Sequence, residues 1–222
     1  CRHLGLRIPT ASAVADLLVR EGVATPEVAL EAARAAQSHI GLARALARDP
    51  QMRERRRAII TAPASVRSVG EAVMAADRLL ETAKAQADAQ VSERNAREKA
   101  ELMRQLGMDE GESATKASRT MIRQLEEDQK RRSKRALTDA IDRALIDLLA
   151  IYRDVLMVQV GGDGELINTD LSDLVHQIAQ DSTPRQTLAR VDHIETARKR
   201  LVSNGNPLLV LEDMAISLRP QA

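Results

Sequence analysis

Lys130, Arg131, Arg132, Lys134 and Arg135 place five bases within six residues, the strongest local run of positive charge in the chain. A run of this kind suits contact with a phosphate backbone, where each cation displaces condensed counterions. The neighbouring residues argue the other way. Glu126, Glu127 and Asp128 stand four residues before Lys130, Arg131 and Arg132, the spacing at which acid and base meet along one helix. No aromatic side chain lies nearby to stack on a base, so a self-neutralised, solvated face is favoured over a nucleic-acid site.

Other candidates for chemistry are weaker. Arg53, Arg55, Arg56 and Arg57 could meet phosphate, but they sit on a segment that reads as a linker helix with a solvated face. His3, His39, His176 and His193 have no metal-ligand spacing and no cysteine partners, which argues against zinc and predicts no metal site. The segment GGDGELINTD at 161–170 carries glycines and aspartates. It lacks both the calcium-loop pattern and a Lys-Ser/Thr after the glycines, and reads as a plain interhelical loop. No nucleophile elbow, P-loop or paired catalytic carboxylate stands out, so no catalytic residue and no cofactor is expected: by its own residues the chain is not an enzyme.

The elements carrying these residues are helical. Leu137, Ile141, Leu145, Leu148, Tyr152 and Val155 recur at steps of three and four, the period of one helix face. Ile146, Leu149, Leu156 and Val160 add an adjacent face. The whole stretch 124–160 is one pattern that changes from charged to apolar, as expected of a helix running from solvent into a bundle. With 222 residues, 44% of them hydrophobic, the chain can bury a core, yet it has no Phe or Trp and Tyr152 is its one aromatic. Ala, Leu, Val, Ile and Met must fill the interior, and with 29% charged residues this favours long, close-packed helices.

The formal net charge of +1 gives no global attraction to nucleic acid. No apolar run reaches the roughly 18–20 residues that span a bilayer, and no signal peptide is visible. The one cysteine, Cys1, cannot form an internal disulfide and fits a reducing cytoplasm. The chain starts with Cys1 rather than Met, and its first residues read as a segment cut from something larger.

Punctuation predicts the organisation. Thr10 or Ser12 caps a first helix, Thr25 with Pro26 a second, and Ser38 a third, giving a three-helix module over 1–49. A connector helix at 50–64 starts at Asp49-Pro50 and ends before Pro63. From 65 to 222 a helical bundle follows, with a long hairpin inserted at about 83–135. Its first arm begins at Ser65, its tip lies at Gly107 to Gly111, and Ser113 or Thr115 restarts the chain. Three more helices are expected at 170–180, 183–203 and 207–218, with Asn204-Gly205 as a stop between the last two.

Three segments carry a family resemblance. Residues 32–48, AARAAQSHIGLARALAR, resemble the lid region of bacterial clamp-loader subunits. Residues 140–156, AIDRALIDLLAIYRDVL, resemble a collar helix of the actinobacterial-type delta-prime subunit of DNA polymerase III, and 206–219, NPLLVLEDMAISLR, look like that family's last collar helix.

The resemblance implies an all-α fold: a small three-helix lid module, then a helical-bundle collar domain with a long projecting hairpin. It puts Cys1 at the last position of the clamp-loader Ser-Arg-Cys motif, with an N-terminal ATPase-like domain upstream. It further implies a non-catalytic, cytoplasmic bacterial subunit of a DNA-directed DNA polymerase holoenzyme. The implied partners are delta and tau/gamma in a hetero-pentamer, with the sliding clamp and primed DNA contacted indirectly and no membrane. Leu145, Leu148, Tyr152, Leu156, Leu209 and Met214 are then the expected subunit interface.

Related tau/gamma subunits carry a sensor arginine that falls here on Gly41, which supplies no cation. That departure favours delta-prime over a tau/gamma-type ATPase fragment, although Arg44 stands three positions along the same helix. The remaining alternative is a coiled-coil adaptor or basic-helix nucleic-acid binder using the hairpin.

Overall fold

The computed structural model describes residues 8–107 and 116–220. Within them the chain forms nine α-helices, one 3-10 turn and no strand. Helices α1 (Ala11–Arg20), α2 (Pro26–Ala35) and α3 (Ile40–Arg48) pack as an N-terminal module. α4 (Pro50–Ser65) leads to two long helices, α5 (Val69–Gln105) and α6 (Lys116–Gln159), and α7 (Ser172–Gln180), α8 (Pro184–Val202) and α9 (Pro207–Ser217) close the bundle.

Local chemistry sets most boundaries. Thr10 Oγ1 accepts from the Ala13 amide, Thr183 and Gln186 form a reciprocal capping box, and Asn206 Oδ1 accepts from the amides of Leu208 and Leu209. Pro26, Pro50, Pro184 and Pro207 occupy first-turn positions, where no amide is needed. At the α8–α9 corner Asn204 takes φ +61°, and a Cβ on Gly205 would come within 2.8 Å of the Arg200 carbonyl, so only glycine fits.

Three expected boundaries move. His39, not Ser38, caps α3: its Nδ1 accepts from the Leu42 amide, while Gln37 and Ser38 have positive φ and form the turn. Ser68, not Ser65, caps α5. α4 runs through Pro63 instead of stopping before it. The proline removes one amide within a turn of the helix end, where side chains serve the last carbonyls: Ser65 Oγ donates to Ala62 O, and Arg67 Nη1 to Ala64 O.

The apolar residues gather in two main clusters. One, built from α1–α3, is dominated by alanine around Val14, Leu18 and Leu46. The other joins α4 to α9 around Ile60, Leu145, Leu148, Ile151, Val155, Ile194 and Leu211, each with little or no exposed surface. α6 is its axis, touching α4, α5, α7 and α8. Ile60 places α4 inside this core, so the connector helix is anchored rather than free.

α5 and α6 are antiparallel. At about 1.5 Å per residue, their 37 and 44 residues span roughly 55 and 65 Å. Among the described residues beyond the bundle, Ala87, Val91 and Ala136 form a small apolar cluster, with Leu137 against it. Gly107, at φ +62°, ends the outgoing arm. The hairpin tip beyond Gly107, the Ser113 or Thr115 cap, His3 and Cys1 lie outside the described residues.

Candidate functional site

The root of the hairpin holds a buried polar network that the sequence pattern did not reveal. Asp147 and Asp154 lie on α6 among residues of the apolar arc and are 5% and 0% exposed. Arg56 of α4 donates through Nε to Asp147 Oδ1 at 3.0 Å and through Nη2 to Asn168 Oδ1 at 2.6 Å. Asn168, itself fully buried, donates its backbone N–H and its Nδ2 to Asp154 Oδ2 at 2.8 and 2.9 Å. The Ile167 amide and Arg153 Nη1 reach Asp154 Oδ1 at 3.0 and 2.8 Å.

Burial pushes the Asp147 carboxyl above its usual range, and the facing Arg56 guanidinium opposes the push. Both acids are held by donors, and neither faces an open pocket with a nucleophile. The network is a strut that fixes the 161–170 loop and α4 onto α6. That loop is indeed an interhelical connection, ordered by Asp154.

Its neighbours extend the strut. Arg57 pairs with Asp170 at 3.2 Å, Arg34 of α2 with Glu165 at 3.0 Å, and Arg53 Nη1 donates to the carbonyls of Leu46 and Ala47 at the end of α3. The α4 arginines are therefore more than a solvated face. Three of them are cross-links between elements, and Arg55 reaches Gln51 on its own helix. A signal was present in the sequence: Asp147 and Asp154 interrupt an apolar arc, which is costly unless a cation or amide waits opposite.

In the basic run, the expected four-residue pairs do not form. Arg131 pairs with Asp128, three residues back, and Glu127 with Arg123. Arg132 reaches across to α5, to Glu98 at 2.9 Å and Asn95 Oδ1 at 2.7 Å, while Glu126 pairs with Lys99. Lys134 donates to Asn204 Oδ1 at 3.1 Å. Antiparallel packing brings α5 acids nearer than the helix's own. Hydrogen bonds from Arg132 and then Arg94 hold the Glu98 carboxyl down at about 2. Lys130 and Arg135 remain exposed.

The six expected interface residues divide. Leu145, Leu148, Tyr152 and Met214 have 0–3% of their surface exposed and pack inside the chain's own core. The α6 face is covered by α4, α5, α7 and α8, and that of α9 by α5 and α8. Leu156 is half-buried, and Leu209 projects from α9 with 62% exposed. Val202 and Val160 are exposed apolar residues the pattern did not single out.

In the N-terminal module Arg44 is a bidentate partner of Glu21, at 2.8 and 3.0 Å. Of the histidines, His39 caps α3 and His176 Nδ1 lies 2.8 Å from the Ser172 carbonyl. Among the described residues no group of His, Cys, Asp and Glu is placed to hold a metal, and no helix is long and apolar enough to cross a membrane.

The fold and its site thus define an all-α bundle organised for packing. Residues 113–219, spanning α6 to α9, match the family described as DNA polymerase III, delta subunit, C terminal. A 72-residue segment is 38% identical to DNA polymerase III subunit delta' of Bacillus subtilis (strain 168), covering 32% of this chain and 22% of that protein. The chain thus spans about a fifth of that curated relative. No solved structure matches the chain. Together these similarities support a DNA polymerase III clamp-loader-related subunit, with a delta-prime subunit among its relatives.

Proposed function

We propose that this chain is the lid and collar portion of a delta-prime subunit, a non-catalytic member of the cytoplasmic bacterial complex that loads the sliding clamp on primed DNA. Residues 1–49 are the lid-like module, 50–64 the connector and 65–222 the collar with its hairpin. Delta and tau/gamma are its partners in a hetero-pentamer. The observation that carries the reading is the family match over α6–α9, which with α4 and α5 build the larger hydrophobic core. Two features support delta-prime over an ATPase subunit: Gly41 supplies no cation, and Arg44 is committed to Glu21.

The collar surface left for neighbours is Leu156 and Leu209, the two expected contacts not consumed by the core. Co-purification with delta and tau/gamma collar domains at micromolar concentration tests the assignment. A stable complex that Leu209→Asp weakens is expected, and persistent failure to associate contradicts it.

A further inference from the structure

The chain's one aromatic ring and an unpaired guanidinium meet beside an open cleft. Arg190 of α8 lies over Tyr152 of α6, its guanidinium carbon 5.8 Å from the ring centroid. Arg190 is 7% exposed and Tyr152 3%. Among the described residues Arg190 has neither an ion-pair partner nor a hydrogen-bond acceptor. Arg56, the comparable buried cation, is bound to both Asp147 and Asn168. The face of a phenol ring offsets only part of the cost of burying a charge, so Arg190 lacks an anion.

The cleft that Arg190 lines, between the end of α4 and α6–α8, has a volume of about 490 Å³. Arg57 and Arg67 also line it, against a single acid, Asp181, so the lining is net positive. Arg57 is already held by Asp170, and Arg67 donates to the Ala64 and Val66 carbonyls, which leaves Arg190 as the uncommitted cation. Leu171, Leu174, Ile178 and Leu218 supply an apolar wall. A concave, mostly apolar site of this size with one anchoring charge suits a small ligand rather than a flat protein surface.

We propose that this cleft binds a small amphipathic oxyanion, a carboxylate or phosphate monoester on a short apolar chain, anchored by Arg190. The guanidinium fork matches either anion in a two-point contact, and the leucine wall takes the apolar chain.

Tyr152 is the one tyrosine of a chain without tryptophan, so its emission reports on the site directly. The full chain is titrated with hexyl phosphate, hexanoate, inorganic phosphate and hexanol, reading tyrosine fluorescence and thermal shift. A saturable response to a hexyl anion, absent with hexanol and at least tenfold weaker in Arg190→Met, is expected. The tighter of hexyl phosphate and hexanoate identifies the anion. No saturable response to either hexyl anion, equal binding of hexanol, or unchanged affinity in Arg190→Met overturns the proposal. Should Arg190→Met fail to fold, Thr61→Glu, which sets a competing carboxylate in the cleft and leaves the cation intact, must weaken the response to the same degree. An unaltered response in that variant also overturns it.

Discussion

The same two helices, α5 and α6, live in two different physical regimes along their length. Near the bundle, Ile141, Leu145, Leu148, Ile151 and Val155 are packed against four neighbouring helices and have essentially no exposed surface. Farther out, the arms share one small cluster of Ala87, Val91 and Ala136, and then charge pairs such as Arg132–Glu98 and Lys99–Glu126. Root stability rests on buried area and a hydrogen-bonded polar strut, and arm stability on small residues and solvent-screened ions. The contrast teaches that one uninterrupted helix can be a core element at one end and an independent, easily opened arm at the other.

Substitutions at the root break that contrast most severely. Arg56→Ala leaves Asp147 buried without its cation, and a loss of about 3–5 kcal/mol is expected in denaturant unfolding. Pairing Arg56→Met with Asp147→Leu should recover most of it, because the lone buried charge disappears. Leu148→Ala, at a site 1% exposed, is expected to cost about 2–5 kcal/mol in the same measurement. On the arms, Val91→Ala removes two methyl-sized groups and should cost roughly 1.5 kcal/mol at about 0.8 per buried carbon. Hydrogen exchange should place that loss on the arm amides while the Leu145 to Val155 amides stay protected.

The smallest effect separates the regimes by pH. The Glu98 carboxyl sits near 2 in the folded chain against an ordinary value of 4.5. Its stabilising contribution is therefore present above about 4.5 and is lost as pH falls from there towards 2. Asp147 is shifted the other way by burial, so its contribution has the opposite sign and acid relieves a cost at the root. Arm-amide protection factors, taken relative to the intrinsic exchange rate at each pH, should fall on acidification over that window, and Glu98→Gln should remove the fall without altering protection at the root.

The two regimes were unequally legible in sequence. The apolar steps from Leu137 to Val155 and the caps Thr10, Thr183 and Asn206 gave helices and boundaries, because period and capping are local properties. Ser38 and Ser65 misled, since a histidine ring and a serine three residues on captured the free amides instead. The α4 arginines looked solvated because their partners lie far along the chain: Asp147 is 91 positions from Arg56 and Asp170 is 113 from Arg57. Leu145, Leu148, Tyr152 and Met214 lie inside the chain's own core. A helix face shows in sequence, but whether its own chain or a partner covers it does not.

In the proposed delta-prime assembly the root and its α7–α9 cover make the subunit contacts and the outer arms do not. Replacing residues 92–131 by a short Gly-Ser turn and repeating the co-purification with delta and tau/gamma tests it directly. Association at an affinity within a few-fold of the intact chain is expected. Loss of association, with the shortened chain still showing cooperative unfolding, would contradict it and make the hairpin the binding element.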